Sequence, residues 1–101
     1  MISIVIPTFN EIRNISEIVN QLLILDFSSN IEIIIVDDNS SDGTADKVRE
    51  LVHNDKRIRL INRVGRSGLS SAIKEGCLCA SGELVVVMDA DGQHEPSYIR
   101  K

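Results

Sequence analysis

Asp89 and Asp91 stand one residue apart at the end of a run of five apolar residues, 84–88. The run is short, uninterrupted and rich in valine, which predicts a strand buried on both faces. Two carboxylates at the carboxyl end of such a strand lie where open α/β sheets bind ligands. Paired hard oxygen donors suit Mg²⁺ or Mn²⁺, and a cation held there bridges naturally to a diphosphate. Taken alone, an Asp-x-Asp is also an ordinary solvated acidic turn, so the other strand ends decide its weight.

Three further segments carry candidate chemistry. The first strand runs into Pro7-Thr8-Phe9-Asn10-Glu11. Pro7 lacks a backbone donor and is expected to end the strand. Thr8 and Asn10 have the chemistry to bind a ligand, but their spacing favours capping the next helix. The second strand runs into Val36-Asp37-Asp38-Asn39-Ser40-Ser41-Asp42-Gly43-Thr44. A carboxylate at this point of a nucleotide-binding sheet accepts hydrogen bonds from a nucleoside, which recommends Asp37 or Asp38. Asp42-Gly43-Thr44 reads as turn and cap chemistry. Finally, Arg63-Val64-Gly65-Arg66-Ser67-Gly68 precedes a helical pattern. It reads either as a phosphate cradle or as a surface loop. Neither Gly-x-x-x-x-Gly-Lys-Ser/Thr nor Gly-x-Gly-x-x-Gly occurs, which excludes the commonest ATPase and dinucleotide sites.

The elements that must position these residues are legible as apolar periodicity. Strand-like, mostly apolar runs at 2–6, 31–36, 58–61 and 84–88 predict four strands. Helical spacing at Ile12, Ile15, Ile18, Val19, Leu22 and Leu23, then at Ala45, Val48, Leu51 and Val52, then at Leu69, Ala72, Ile73, Gly76 and Ala80, predicts three helices between them. Gly82 occupies the place of a C-terminal helix cap. Such alternation predicts an α/β fold: a mostly parallel sheet with right-handed crossovers and helices on both faces. It also puts Asp37/Asp38 and Asp89/Asp91 at one edge of the sheet, where their mutual repulsion would be relieved by a cation. Pro96 suits the first turn of a further helix over 96–101, cut after about one turn. The expectation is a single unit, 1–101, forming the front part of a longer protein.

Composition narrows the class. The chain has 101 residues, a net charge of −4 and 43% hydrophobic residues. A core is affordable and disorder is not expected. The acidic balance argues against a nucleic-acid partner. No apolar run approaches the roughly 20 residues that span a bilayer, and no signal-peptide pattern precedes the first strand. Cys77 and Cys79 lack disulfide or zinc spacing and are expected to be reduced thiols in a reducing compartment. The expected location is cytoplasmic, or the cytoplasmic face of a membrane in a full-length protein.

Four segments in order carry a resemblance: Pro7-Thr8-Phe9-Asn10-Glu11; Val36-Asp37-Asp38-Asn39-Ser40-Ser41-Asp42-Gly43-Thr44; Gly68-Leu69-Ser70-Ser71-Ala72; and Met88-Asp89-Ala90-Asp91-Gly92-Gln93-His94-Glu95-Pro96. Together they resemble the Rossmann-like nucleotide-sugar half of an inverting family 2 glycosyltransferase of the GT-A fold. Within the family they are most similar to dolichol- and polyprenol-phosphate mannosyltransferases. The resemblance implies that Pro7, Phe9 and Glu11 contact the nucleotide. It implies that Asp38, with Val36 and Asp37, serves base and ribose. It implies that Asp89, Ala90 and Asp91 meet the diphosphate, with Asp89, Asp91 and Gln93 holding Mg²⁺ or Mn²⁺. The implied donor is GDP-mannose or a UDP-sugar, and the implied acceptor a lipid phosphate. Gly92 departs from the leucine usual in the mannosyltransferases, and no acceptor-binding half is present, so no general base is assigned. One rival is a haloacid-dehalogenase-type phosphatase, but that family places its Asp-x-Asp on the first strand and follows it with Thr. The other rival is a noncatalytic nucleotide-binding module. An open sheet edge further predicts a homodimer.

Overall fold

A computed structural model describes residues 1–25, 30–65, 67–90 and, in backbone only, 97–100. The elements are β1 (Ile2–Thr8), α1 (Ile15–Leu25), β2 (Ile31–Asp37), α2 (Thr44–Asn54), β3 (Ile58–Asn62), α3 (Leu69–Cys79), β4 (Leu84–Val87) and β5 (Ser97–Arg100). They form one sheet in the order β3-β2-β1-β4-β5. The first four strands are parallel, with Ile4 opposite both Ile33 and Val86, and β5 is antiparallel to β4.

Both faces are covered, which explains the absence of apolar–polar alternation. Ile4, Ile6, Ile33, Ile35 and Val86 pack with Ile15, Ile18, Val19 and Val48 on the α1/α2 face. Val5, Ile34, Val36 and Val85 pack with Ala72 and Ala80 on the α3 face. Helix α3 lies close because its buried positions are small: a Cβ on Gly76 would fall 2.4 Å from Val5 Cγ1. Cys77 packs beside this cluster and Cys79 is exposed. Among the described residues no helix is long and apolar enough to cross a membrane.

Four expectations need correction. First, β1 continues through Pro7 to Thr8, with Pro7 opposite Val36. Val5 O accepts from Met88 N, so by period two the missing N–H of Pro7 faces the β4 side, where ladder pairing has ended at Val87. Second, neither Thr8 nor Asn10 caps α1. Thr8 Oγ1 donates to Asp37, and Asn10 Oδ1 accepts from Ser41 N. The helix is entered through a backbone turn in which Glu11 O accepts from Asn14 N and Ile15 N, leaving Ile12 outside the helix and 41% exposed.

Third, Gly82 is not a helix cap. The cap residue is Ala80, and Gly82 does not adopt positive φ. Its lack of a side chain is instead required by the start of β1, where Met1 O just before the strand and Ser3 N within it would lie 2.6 and 2.7 Å from a Cβ. Fourth, residues 97–100 form a strand where a helix was expected. Proline at a helix start is a weak local signal, and the open flank of β4 offers a full ladder from Val87↔Ser97 to Leu84↔Arg100. The outer strands are therefore β3 and β5.

At the N-terminal edge of the sheet, Glu32 is buried and accepts hydrogen bonds from Ser3 Oγ and from Ser81 N. Burial alone would raise its carboxyl pKa. The bonds from Ser3 and Ser81, and the Arg59 charge, more than offset that and hold it below the ordinary 4.5. A carboxyl depressed on folding stabilises the native state above its unfolded pKa, and the contribution is lost as pH falls through the folded value. Glu32→Gln should therefore be less stable than the parent near neutral pH, and the gap should narrow as the pH falls below the ordinary carboxyl value of 4.5. Denaturant unfolding across that range reads the effect, and a pH-independent gap would refute it.

Candidate functional site

The strand order has a physical consequence. From β1 the chain moves outward to β2 and β3 with α1 and α2 on one face, then returns past β1 to β4 with α3 on the other. Right-handed crossovers require that change of face. The crevice opens beyond the carboxyl ends of β1 and β4, where the order reverses. An open cavity of about 320 Å³ lies there. Its walls include Pro7 near the end of β1, Phe9 and Glu11 from the loop after it, Asp38 from the β2 loop, and Asp89 and Ala90 after β4. Six of the expected site residues thus meet around one space. Thr8, Leu69 and Ala72 complete the wall. Leu69 belongs to the apolar spacing of the third helix and to the Gly68-to-Ala72 segment of the resemblance, which gave it no site role, yet it is 60% exposed.

Val36 does not join them. It is fully buried within the α3-side core and lies against Gly76, so it supports the site only from beneath. Asp37 is also fully buried and committed elsewhere. Its carboxylate accepts from Thr8 Oγ1 at 2.6 Å, from Ser40 N at 2.9 Å and from Ser40 Oγ at 2.6 Å. That choice between neighbouring aspartates follows from strand alternation: successive side chains point to opposite faces.

The two loops that shape the cavity are laced together. Asn10 N donates to Ser40 Oγ and Asn10 Oδ1 accepts from Ser41 N. Glu11 N donates to Thr44 Oγ1, and Ile12 N to Asp42 Oδ2. Asn10 and Asn39 take left-handed φ values of 54° and 55°, a conformation asparagine tolerates better than most residues. Asp42 works as turn chemistry, accepting from Thr44 N and Thr44 Oγ1. Desolvation opposes its ionisation, but the bonds from Thr44 and Ile12 prevail and hold its carboxyl below the ordinary range. This lacing holds Phe9, 61% exposed, over the cavity mouth. A second cavity of about 280 Å³ adjoins the first, lined by Phe9, Asp38, Asn39, Gly65 and Ser67.

Arg63 was expected in a phosphate-binding or surface loop and is in neither role. It is fully buried, with Nε 2.6 Å from Asp38 Oδ1. Nothing in the local sequence distinguishes it from an exposed loop arginine. Arg66 of the same loop lies outside the described residues.

Glu11, Asp38 and Asp89 make the main cavity wall acidic. An acidic wall repels a diphosphate unless a cation intervenes, and carboxylate oxygens are the donors Mg²⁺ or Mn²⁺ takes. The residues present therefore fit a hard divalent cation. Asp91 and Gln93, expected to join Asp89 as ligands, lie outside the described residues. Among the described residues no three His, Cys, Asp or Glu side chains converge into a metal site.

The topology and the crevice define the nucleotide-binding half of a GT-A α/β fold. The chain matches the profile of Glycosyl transferase family 2 over residues 3–101 and belongs to that family. It is 42% identical over 100 residues to a dolichol-phosphate mannosyltransferase of Pyrococcus furiosus, covering 99% of this chain and 28% of that protein. It is 37% identical over 102 residues to the dolichol-phosphate mannosyltransferase of Saccharomyces cerevisiae, covering 98% and 38%. Among solved structures, the mannosyltransferase PcManGT from Pyrobaculum calidifontis, in complex with GDP-Man and Mn²⁺, superposes with a TM-score of 0.81 at 30% identity. That match covers 89% of this chain and 27% of PcManGT. S. aureus TarS in complex with UDP-GlcNAc superposes with a TM-score of 0.79 at 29% identity, covering 89% and 26%. The chain thus spans about a quarter to two-fifths of the length of the relatives it matches.

Proposed function

We propose that this protein binds GDP-mannose, with Mg²⁺ or Mn²⁺, and belongs to an enzyme that transfers the mannosyl group to a polyprenyl phosphate. The observation that carries the reading is the meeting of Phe9, Glu11, Asp38 and Asp89 around one cavity at the strand-order reversal. The 42% identity to a dolichol-phosphate mannosyltransferase supports the choice of donor and acceptor class. In this reading residues 1–101 are the donor-binding part, in keeping with the share of each relative they match. Phe9 offers a ring face for stacking on the base, and Asp38 accepts hydrogen bonds from the nucleoside. Asp89, with Asp91 and Gln93, holds the cation, which when bound neutralises charge on the departing diphosphate. An acceptor phosphate oxygen is already anionic and needs little help from a general base. The cytoplasm, or the cytoplasmic face of a membrane, is the compartment that suits two cysteines without disulfide or zinc spacing, Cys77 and Cys79.

Titration calorimetry with GDP and UDP, in Mn²⁺ and then in chelator, tests this reading. GDP should bind at least about tenfold more tightly with Mn²⁺, and more tightly than UDP. Equal affinity in chelator removes the metal from the proposal. A preference for UDP removes GDP-mannose as the donor, and no binding of either nucleotide overturns the whole reading.

A further inference from the structure

We infer that Arg63 is a positioning residue for nucleotide binding: its buried guanidinium fixes the orientation of the Asp38 carboxylate at the cavity wall. The inference rests on the nucleoside role proposed for Asp38.

Arg63 follows β3 directly, and its N–H extends the ladder by donating to Asp37 O at 2.8 Å. The side chain then turns beneath the site with no exposed surface. Nε lies 2.6 Å from Asp38 Oδ1, and Nη1 lies 3.7 Å from Glu75 Oε2 on α3. Nη2 donates to Ser71 Oγ at 2.8 Å and to Gly68 O at 3.4 Å. The other Asp38 oxygen, Oδ2, accepts from Gly68 N at 3.1 Å. One planar fork thus joins the end of β2 to the first turn of α3. Asp38 Oδ2 is hydrogen-bonded from the protein side, and Oδ1 sits in ionic contact with Arg63 without a hydrogen bond to it. A carboxylate offers about four acceptor sites, so capacity remains toward the two cavities that Asp38 lines.

Stability is a poor explanation for this arrangement, because a buried ion pair often contributes no more than apolar residues of the same volume. What the guanidinium supplies and an apolar residue cannot is a fixed positive charge beside one Asp38 oxygen, anchored through Nη2 to Ser71 and Gly68 while Gly68 N binds the other oxygen. Arg63 touches neither cavity, so it acts on a ligand only through Asp38 and the α3 start.

The test is a double-mutant cycle on GDP affinity in Mn²⁺, read by calorimetry on the unmodified protein, R63M, D38A and R63M/D38A. R63M should weaken GDP binding about tenfold in the parent and less than about twofold once Asp38 is absent. The ratio of affinities with Mn²⁺ and with chelator should stay within about twofold of the parent's in R63M, since Asp89 follows a different strand. If R63M does not fold, S71A carries the test. It removes the 2.8 Å anchor of Nη2 without stranding a charge, and should cost about threefold in the parent and nothing in D38A. A loss of equal size in both backgrounds makes the role merely structural and overturns the inference, as does unchanged affinity in a folded R63M or S71A. Absence of GDP binding in the unmodified protein overturns it together with the nucleotide reading, whereas binding that D38A weakens and R63M spares overturns the positioning role alone.

Discussion

Replacing Asp89 by alanine is expected to abolish the metal-dependent part of nucleotide binding. Asp89 lies one residue beyond the point where Met88 N makes the last bond between β4 and β1. It lines the cavity with Glu11 and Asp38. A charge pair about 4 Å apart in a partly shielded site is worth up to roughly 4 kcal/mol before desolvation is counted. A net loss of about hundredfold, near 2.8 kcal/mol, is therefore expected in GDP affinity with Mn²⁺ present. Affinity in chelator should be unchanged or slightly improved, because one like charge facing the diphosphate has gone. Asp89→Asn separates charge from shape: it keeps the side-chain volume and should reproduce most of the loss. Calorimetry of both variants, with and without chelator, reads this directly. An undiminished Mn²⁺ effect in a folded Asp89→Ala protein would show that the cation is held elsewhere.

The second large effect is on stability. Gly82→Ala should destabilise the protein by about 3 kcal/mol or more, since the new methyl meets backbone that cannot rotate away. Its Cβ would fall 2.6 Å from Met1 O and 2.7 Å from Ser3 N, and Gly82 N already donates to Ser3 Oγ at 2.7 Å. The same movement would disturb Ser3, and through it Glu32. Thermal unfolding should fall by roughly 10–25 °C for a domain of this size. Gly65→Ala is the matched control. Nothing lies within 4 Å of its Cβ position, and only its φ of 82° is unfavourable, so a cost of about 1 kcal/mol is expected. Equal melting temperatures for the two variants would refute the close-packing account.

The parts of this fold legible from residues alone are those set by the chain's own periodicity. Valine and isoleucine runs with no polar alternation can be buried only between two layers, so 31–36 and 84–88 announced a parallel, doubly covered sheet before any contact was known. Carboxylates just after those runs announced the sheet edge that carries the site. Errors arose where a local signal met a partner distant in sequence. Pro7 marked a strand end, but its missing donor faces a flank where pairing has already stopped. Pro96 marked a helix, but β4 supplied a ladder for 97–100. Thr8 and Asn10 had the composition of caps, but acceptors and donors on the β2 loop, about thirty residues away, engage them first.

What the sequence determined by itself is the first seven elements, their apolar faces and the acidic residues at one edge, because each depends on spacing within a few residues. The tertiary structure alone decided how those carboxylates divide their tasks. Asp37 and Asp38 are adjacent and chemically identical. One is buried against Thr8 and Ser40 to hold the loops, while the other is aimed at the cavity by Arg63. That division arises from which side chain the pleat turns inward and from an arginine brought in by a strand pairing. Neither is written in the spacing of the residues, because both depend on contacts that exist only once β3, β2 and α3 have come together.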